Sequence, residues 1–164
     1  MSNLIIQSKI FSLGGEMWIT DENENPRYTV KGSFLKFPKE FVIYDENGQA
    51  RARVIHKMVS LLPKFLLEID GNEVATISKR FSFLKPKYDI DAVGVSVEGN
   101  IWDMNFEIVK NGATIGRIDK SWVSFRDKYA LEILDEADEL IVLGLVLAID
   151  YVKNEDQSVA NSIN

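Results

Sequence analysis

Three pairs of basic residues stand two positions apart: Arg51 with Arg53, Lys85 with Lys87, and Arg126 with Lys128. On an extended strand that spacing sends both side chains to one face. Cations converging in this way can hold a phosphate or a lipid headgroup through charge-assisted hydrogen bonds. The second and third pairs recur at one offset (126 − 85 = 41; 128 − 87 = 41). A plainer reading competes: one face of an antiparallel strand is polar in any case, and charge keeps such surfaces from sticking. These six residues are the candidate anion-binding set.

Other constellations carry less. Asp21-Glu22-Asn23-Glu24-Asn25 imitates the start of a calcium loop, but Pro26 stands where a sharp turn needs glycine and Gly32 where a bidentate glutamate belongs. His56 is the single histidine, and neither G-x-S-x-G nor H-E-x-x-H accompanies it. It alternates with Val54 and Met58, which reads as a packed histidine on one strand face. Asp89 and Asp91 share a face and are the right types for paired acid–base work, although a strand end accounts for them equally. Gly14-Gly15 reads as a turn, because no phosphate-loop lysine follows it. Trp18, Trp102 and Trp122 read as core or barrel-face aromatics. No catalytic residue, metal site or cofactor is expected.

Charge and composition narrow the classes further. The 25 acidic residues against 19 basic ones give a net charge of −6. General adsorption to nucleic acid draws its affinity from neutralised phosphates, so it is disfavoured here. No cysteine is present, which removes disulfides and thiolate chemistry and suits a reducing compartment. The first residues lack a basic region followed by an unbroken apolar run, since Gln7, Ser8 and Lys9 interrupt it. The expected location is the cytoplasm. At 164 residues, 46% hydrophobic and 27% charged, the chain suits one globular domain.

The elements that must position these residues are mostly strands. Short β-branched and aromatic runs, separated by turn residues, predict about twelve of them: Ile5–Ser12, Glu16–Thr20, Tyr28–Leu35, Glu40–Tyr44, Ala50–Lys57, Phe65–Ile69, Glu73–Ser78, Lys87–Asp91, Val93–Glu98, Trp102–Val109, Thr114–Asp119 and Lys128–Leu134. Asn47-Gly48, Asp70-Gly71 and Asn111-Gly112 are pairs that tolerate the positive φ of a tight hairpin. An internal repeat supports a meander: Gly71, Val74, Ile77, Lys79, Phe81, Lys87 and Tyr88 match Gly112, Ile115, Ile118, Lys120, Trp122, Lys128 and Tyr129 at the 41-residue offset (112 − 71 = 41; 129 − 88 = 41).

From Leu140 to Ile149 every residue is apolar or glycine. With Asp135 as N-cap and Asp138 in the first turn, this predicts a helix over 136–152. A helix apolar all round has to be surrounded. The run is shorter than the roughly 20 residues of a membrane span, and its preceding flank is acidic. About twelve strands closed into a barrel leave a space a helix wide. The expected fold is therefore mainly β: a closed antiparallel barrel of about twelve strands enclosing the C-terminal helix. The domain spans 1–154, and 155–164 form a polar tail. No transmembrane segment is expected.

The succession Phe41-Val-Ile-Tyr-Asp-Glu-Asn-Gly48, Phe65-Leu-Leu-Glu-Ile-Asp-Gly71, Ser124-Phe-Arg-Asp-Lys-Tyr129 and Asp138-Glu-Leu-Ile-Val-Leu-Gly-Leu-Val-Leu-Ala-Ile-Asp-Tyr-Val152 resembles the LURP-one-related family. That family lies within the Tubby C-terminal-like superfamily, together with phospholipid scramblases. The resemblance implies a twelve-stranded barrel around a central helix. Tubby domains bind phosphoinositide headgroups through paired basic residues; Arg51-Ala-Arg53 has similar spacing in a different context. The calcium segment associated with scramblases has no counterpart.

Three functions follow in order of preference. The first is a non-catalytic binding or scaffold domain of unknown ligand, acting through the barrel exterior or a mouth, its partner unknown: a protein or an anionic membrane surface. The second is a weak binder of anionic lipid headgroups or phosphorylated ligands through the basic pairs. The third is an enzyme, for which no nucleophile–base pair emerges.

Overall fold

The computed structural model describes residues 1–7, 16–33, 39–57, 62–80, 87–92, 94–119 and 128–163. Alternation of apolar and polar residues shapes strands of the wall, burying side chains two apart such as Met17 and Ile19, Phe41 and Ile43, or Tyr129 and Leu131. In the first half these are β1 (Ser2–Gln7), β2 (Glu16–Thr20), β3 (Pro26–Ser33), β4 (Glu40–Asp45), β5 (Ala50–Lys57) and β6 (Lys64–Ile69). In the second half they are β7 (Asn72–Arg80), β8 (Lys87–Ala92), β9 (Val95–Asn100), β10 (Asn105–Lys110), β11 (Ala113–Asp119) and β12 (Lys128–Ile133). Each strand pairs antiparallel with its chain neighbours, and β1 pairs with β12 from Ser2↔Ile133 to Gln7↔Lys128, which closes the barrel. A 3-10 turn (Glu136–Asp138) then leads into helix α1 (Glu139–Ile163).

Two rims result from this up-and-down order. The entry rim, where α1 begins, carries the tight hairpins. Asp70-Gly71 and Asn111-Gly112 both adopt positive φ (48° and 83°; 51° and 80°), as a two-residue hairpin with the correct twist requires. At the third expected tip Gly48 alone is left-handed. There the Asp45 carboxylate accepts from the backbone N–H groups of Asn47 and Gln49, which holds a longer turn. The ends of β5 and β7, the starts of β8 and β12, and the last turns of α1 lie at the opposite, exit rim.

Inside, strand residues such as Ile19, Phe41, Phe106 and Leu131 meet Leu143, Val146 and Leu147 of α1, all at most 1% exposed. Side-chain packing on every face explains why the helix has no polar stripe over 140–149. At two places the helix presses close to the wall. A Cβ on Gly144 would come within 2.8 Å of Leu67 Cδ1, and one on Gly116 in β11 within 2.4 Å of Val142 Cγ1. Glycine stands there because a larger residue would displace its neighbour.

Several boundaries differ from the sequence expectation, among them the first strand, which begins at Ser2 rather than Ile5, and three others have a visible cause. The run from Trp102 does not start a strand. Residues 101–104 form a turn in which the Asn100 side chain accepts from the Trp102 and Asp103 amides, and β10 begins at Asn105. Asp135 caps the 3-10 turn, accepting from the Ala137 amide, so the α-helix proper starts three residues later than 136. The expected polar tail from 155 is instead helical as far as Ile163. Glu155 and Asp156 bind the barrel wall, and that anchorage carries the helix past its apolar stretch.

Candidate binding surfaces

The four candidate cations among the described residues, Arg51, Arg53, Lys87 and Lys128, lie on three separate strands. Arg51 occupies the bulge between β4 and β5 at the entry rim, where Nε lies 2.9 Å from Asp70 Oδ1 and Nη1 3.6 Å from Asp45 Oδ2. Arg53 points outward two residues on and is paired with Glu40 at 3.6 Å. Lys128 opens β12 at the exit rim, beside a depression of about 360 Å³ shared with Ile5, Trp18, Asp21, Glu22 and Glu24. Lys87 opens β8 at the same rim. Lys85 and Arg126 lie outside the described residues, as do Trp122 and Gly14-Gly15. Strands β5, β8 and β12 are spread round the barrel, three to five positions apart.

Asp21 is occupied by its own loop. Its carboxylate accepts from the amides of Asn23 and Asn25 and from the Asn25 side chain. Those hydrogen bonds, led by the Asn25 side chain, hold its pKa below the usual aspartate value. The calcium-like spelling is thus a hairpin loop. Asp89 forms an exposed ion pair with Arg80. Among the described residues no cluster of three or more His, Asp or Glu is arranged to hold a metal ion.

Two polar assemblies pin the helix ends. At the entry rim Glu139, 8% exposed, accepts from the Tyr28 hydroxyl (2.5 Å) and from Arg27 Nη2 (3.2 Å). Burial first, then the Glu139 carboxylate, push the Tyr28 hydroxyl far above its ordinary pKa, so it stays a donor. At the exit rim Glu155 accepts from the Tyr151 hydroxyl (2.8 Å) and lies 3.3 Å from His56 Nδ1 and 3.7 Å from Lys39 Nζ. Asp156 takes Lys79 at 2.6 Å. Phe65 is shared by His56, stacked at 4.5 Å, and Tyr151, edge-on at 5.5 Å. Deeper in the barrel, Asp150 faces Tyr129; burial and that carboxylate together raise the Tyr129 hydroxyl well above its normal range.

His56 illustrates competing terms. A carboxylate 3.3 Å away favours imidazolium, yet burial and, after it, the Lys39 charge favour the neutral ring, and its pKa is lowered from 6.5. Burial wins because only 11% of the side chain reaches water. The sign follows directly. A depressed folded pKa means that the unfolded chain binds the proton first, so stability is full above pH 6.5 and falls as pH drops below it. His56→Gln is therefore expected to flatten the dependence of the melting midpoint on pH below 6.5, with a small change at pH 8. An unchanged acid-side slope in that variant would assign the titration elsewhere.

A groove lies open on the outer wall. Trp18 is 55% exposed and edges a groove of about 510 Å³ together with Tyr44, Lys31, Glu16 and Glu46. Lys31 lies 5.7 Å above the Tyr44 ring and 3.5 Å from Glu16. The alternation of buried Met17 and Ile19 about Trp18 points its indole outward. That alternation was the available signal for it. The Glu139 and Glu155 assemblies went unnoticed in the sequence, although Tyr151 and Glu155 have the i, i+4 spacing of helix neighbours.

A twelve-stranded antiparallel barrel closed around a C-terminal helix, with a filled lumen and polar clamps at both helix ends, defines the class of fold. The chain belongs to the LURP-one-related family, whose model matches residues 2–150. It is 29% identical over 161 residues to the uncharacterized protein YxjI of Bacillus subtilis (strain 168), covering 97% of this chain and 99% of that one. Its fold is similar to the X-ray structure of a protein from Arabidopsis thaliana, with a TM-score of 0.59 at 13% identity over 92% of this chain and 91% of the other. No helix among the described residues is long and apolar enough to cross a membrane.

Proposed function

We propose that this protein is a non-catalytic binding or scaffold domain that works through the outside and rims of its barrel. The observation that carries the reading is the occupied lumen: Leu143, Val146 and Leu147 of α1 are fully buried there. A ligand therefore meets the wall and the rims, where Trp18 and the charged residues stand. A cysteine-free chain suits a reducing compartment, and the cytoplasm is the location this reading carries.

The test is a ligand panel of peptides, phosphorylated compounds and lipid headgroups, read by thermal shift. A ligand that binds the folded state raises stability by RT ln(1 + [L]/Kd). It should be recovered chemically unchanged by mass spectrometry. Conversion of a panel member that disappears in a stably folded His56→Gln protein would overturn the reading in favour of an enzyme.

A second reading rests on Lys87 and Lys128 opening strands at the same rim. This reading takes those two, with Lys85 and Arg126 two residues before each of them in sequence, as the cations that attract lipid headgroups, in line with the Tubby-like resemblance. Sedimentation with anionic and neutral liposomes at low and moderate salt tests it. Binding should weaken with salt, since exposed charges are screened over about 8 Å at physiological ionic strength. Changing the four cations to Gln should abolish it. Equal sedimentation with both liposome types removes the lipid reading.

A further inference from the structure

We propose that the outer face of β2–β4 is a docking site for a proline-rich segment with a basic residue beside it, an inference that rests on the binding-module reading. Trp18, Thr29 and Tyr44 occupy directly opposed positions on three neighbouring strands, Trp18↔Thr29 and Thr29↔Tyr44. Their inward neighbours Met17, Ile19, Val30 and Ile43 are buried, so all three point outward. The two rings are thus walls and the threonine a low floor between them.

Spacing selects the ligand's conformation. Neighbouring strands lie about 4.8 Å apart, so the aromatic walls stand roughly 10 Å apart across two strand steps. A polyproline II segment rises about 3.1 Å per residue with three residues per turn, so prolines three apart repeat about every 9 Å. One proline packs on Trp18 and the next on Tyr44. Such a ligand keeps its backbone solvated and asks for no strand edge. That matters here, because β3 is hydrogen-bonded on both sides and offers none.

Charge selects what flanks the prolines. The groove holds three carboxylates, Glu16, Asp45 and Glu46, against two cations, Arg27 and Lys31. Both cations are engaged, Arg27 with Glu139 and Lys31 with Glu16. Glu46 forms no ion pair among the described residues. On the other side of Trp18 the second depression carries Asp21, Glu22 and Glu24 against Lys128. Lysine or arginine beside the prolines meets an unneutralised carboxylate at Glu46. A phosphate-bearing ligand meets repulsion at the same place. The ammonium of Lys31 over Tyr44 shows that this ring's face already accepts a cation.

The experiment uses the full chain and an immobilised peptide set, Pro-x-x-Pro-x-Arg with x randomised. Matched sets have the prolines scrambled or the arginine replaced by glutamate. Retention should favour the first set over both others, and polarisation with its best member should give micromolar affinity. Trp18→Ala should weaken that affinity at least about tenfold, as expected of a central aromatic anchor. Glu46→Lys should weaken the arginine peptide and leave an alanine-flanked one little changed. Both substitutions are at surface positions, and an unchanged melting midpoint verifies the fold. No preference over the scrambled set, or full affinity in Trp18→Ala, overturns the proposal. In that case intact binding of another panel ligand leaves the binding-module reading standing, whereas ligand turnover removes it.

Discussion

Leu143→Asp and Leu147→Asp are each expected to unfold the protein at room temperature or to leave it barely folded. Both leucines are fully buried against the barrel wall. Burying such a side chain contributes roughly 1.5–3 kcal/mol, which the substitution forfeits. An unpaired carboxylate in the same place costs several kcal/mol more. The sum approaches the whole stability of a typical domain, about 5–15 kcal/mol. Near-UV circular dichroism and a thermal melt read the result. If both variants kept the wild-type melting midpoint, the helix would not be enclosed. Leu143→Met serves as the control, since a volume-conserving swap costs under about 1.5 kcal/mol.

Ending the chain after Asn154 is expected to cost about 3 kcal/mol, although every residue removed lies beyond the apolar stretch. The deletion strips Glu155 from the Tyr151 hydroxyl and His56, and Asp156 from Lys79. Leaving a buried donor unsatisfied costs about 1–3 kcal/mol. Lys39, half exposed, adds little. Glu155→Ala should reproduce a large part of the loss. A urea midpoint lowered at unchanged m value is the expected reading. A truncated chain as stable as the full one would show that residues 155–164 are dispensable.

That deletion also marks where the sequence stopped being informative. The apolar run of 140–149 announced an enclosed helix because hydrophobicity is a local property of the chain. The clamp of Glu155 and Asp156 depends on β5 and β7 arriving beside the last turns of the helix, which no local pattern reports. For the same reason the four described cations, which look alike in sequence, fare differently. Arg51 and Arg53 find carboxylates on adjacent turns and strands, while Lys87 and Lys128 begin strands four positions apart. Turn chemistry was legible where Gly71 and Gly112 impose positive φ. It misled at Trp102, whose β-forming side chain lies next to Asn100, a residue that captures the following amides. Trp18 was legible as a barrel-face residue, but the slot it forms needed the register of three strands.

Closure through β1 and β12 has a consequence for the order in which the chain can fold. The barrel's first strand pairs with its twelfth, and the filler of the lumen is synthesised after all twelve. On the ribosome the strands have hydrophobic faces and nothing to bury them against until the C-terminal segment emerges. Topologies dominated by such distant pairings fold slowly and expose sticky intermediates. Yield in the cell should therefore depend on how quickly the codons for residues 135–163 are read and on holding chaperones. A nascent chain arrested before Asp135 should remain protease-sensitive along its whole length.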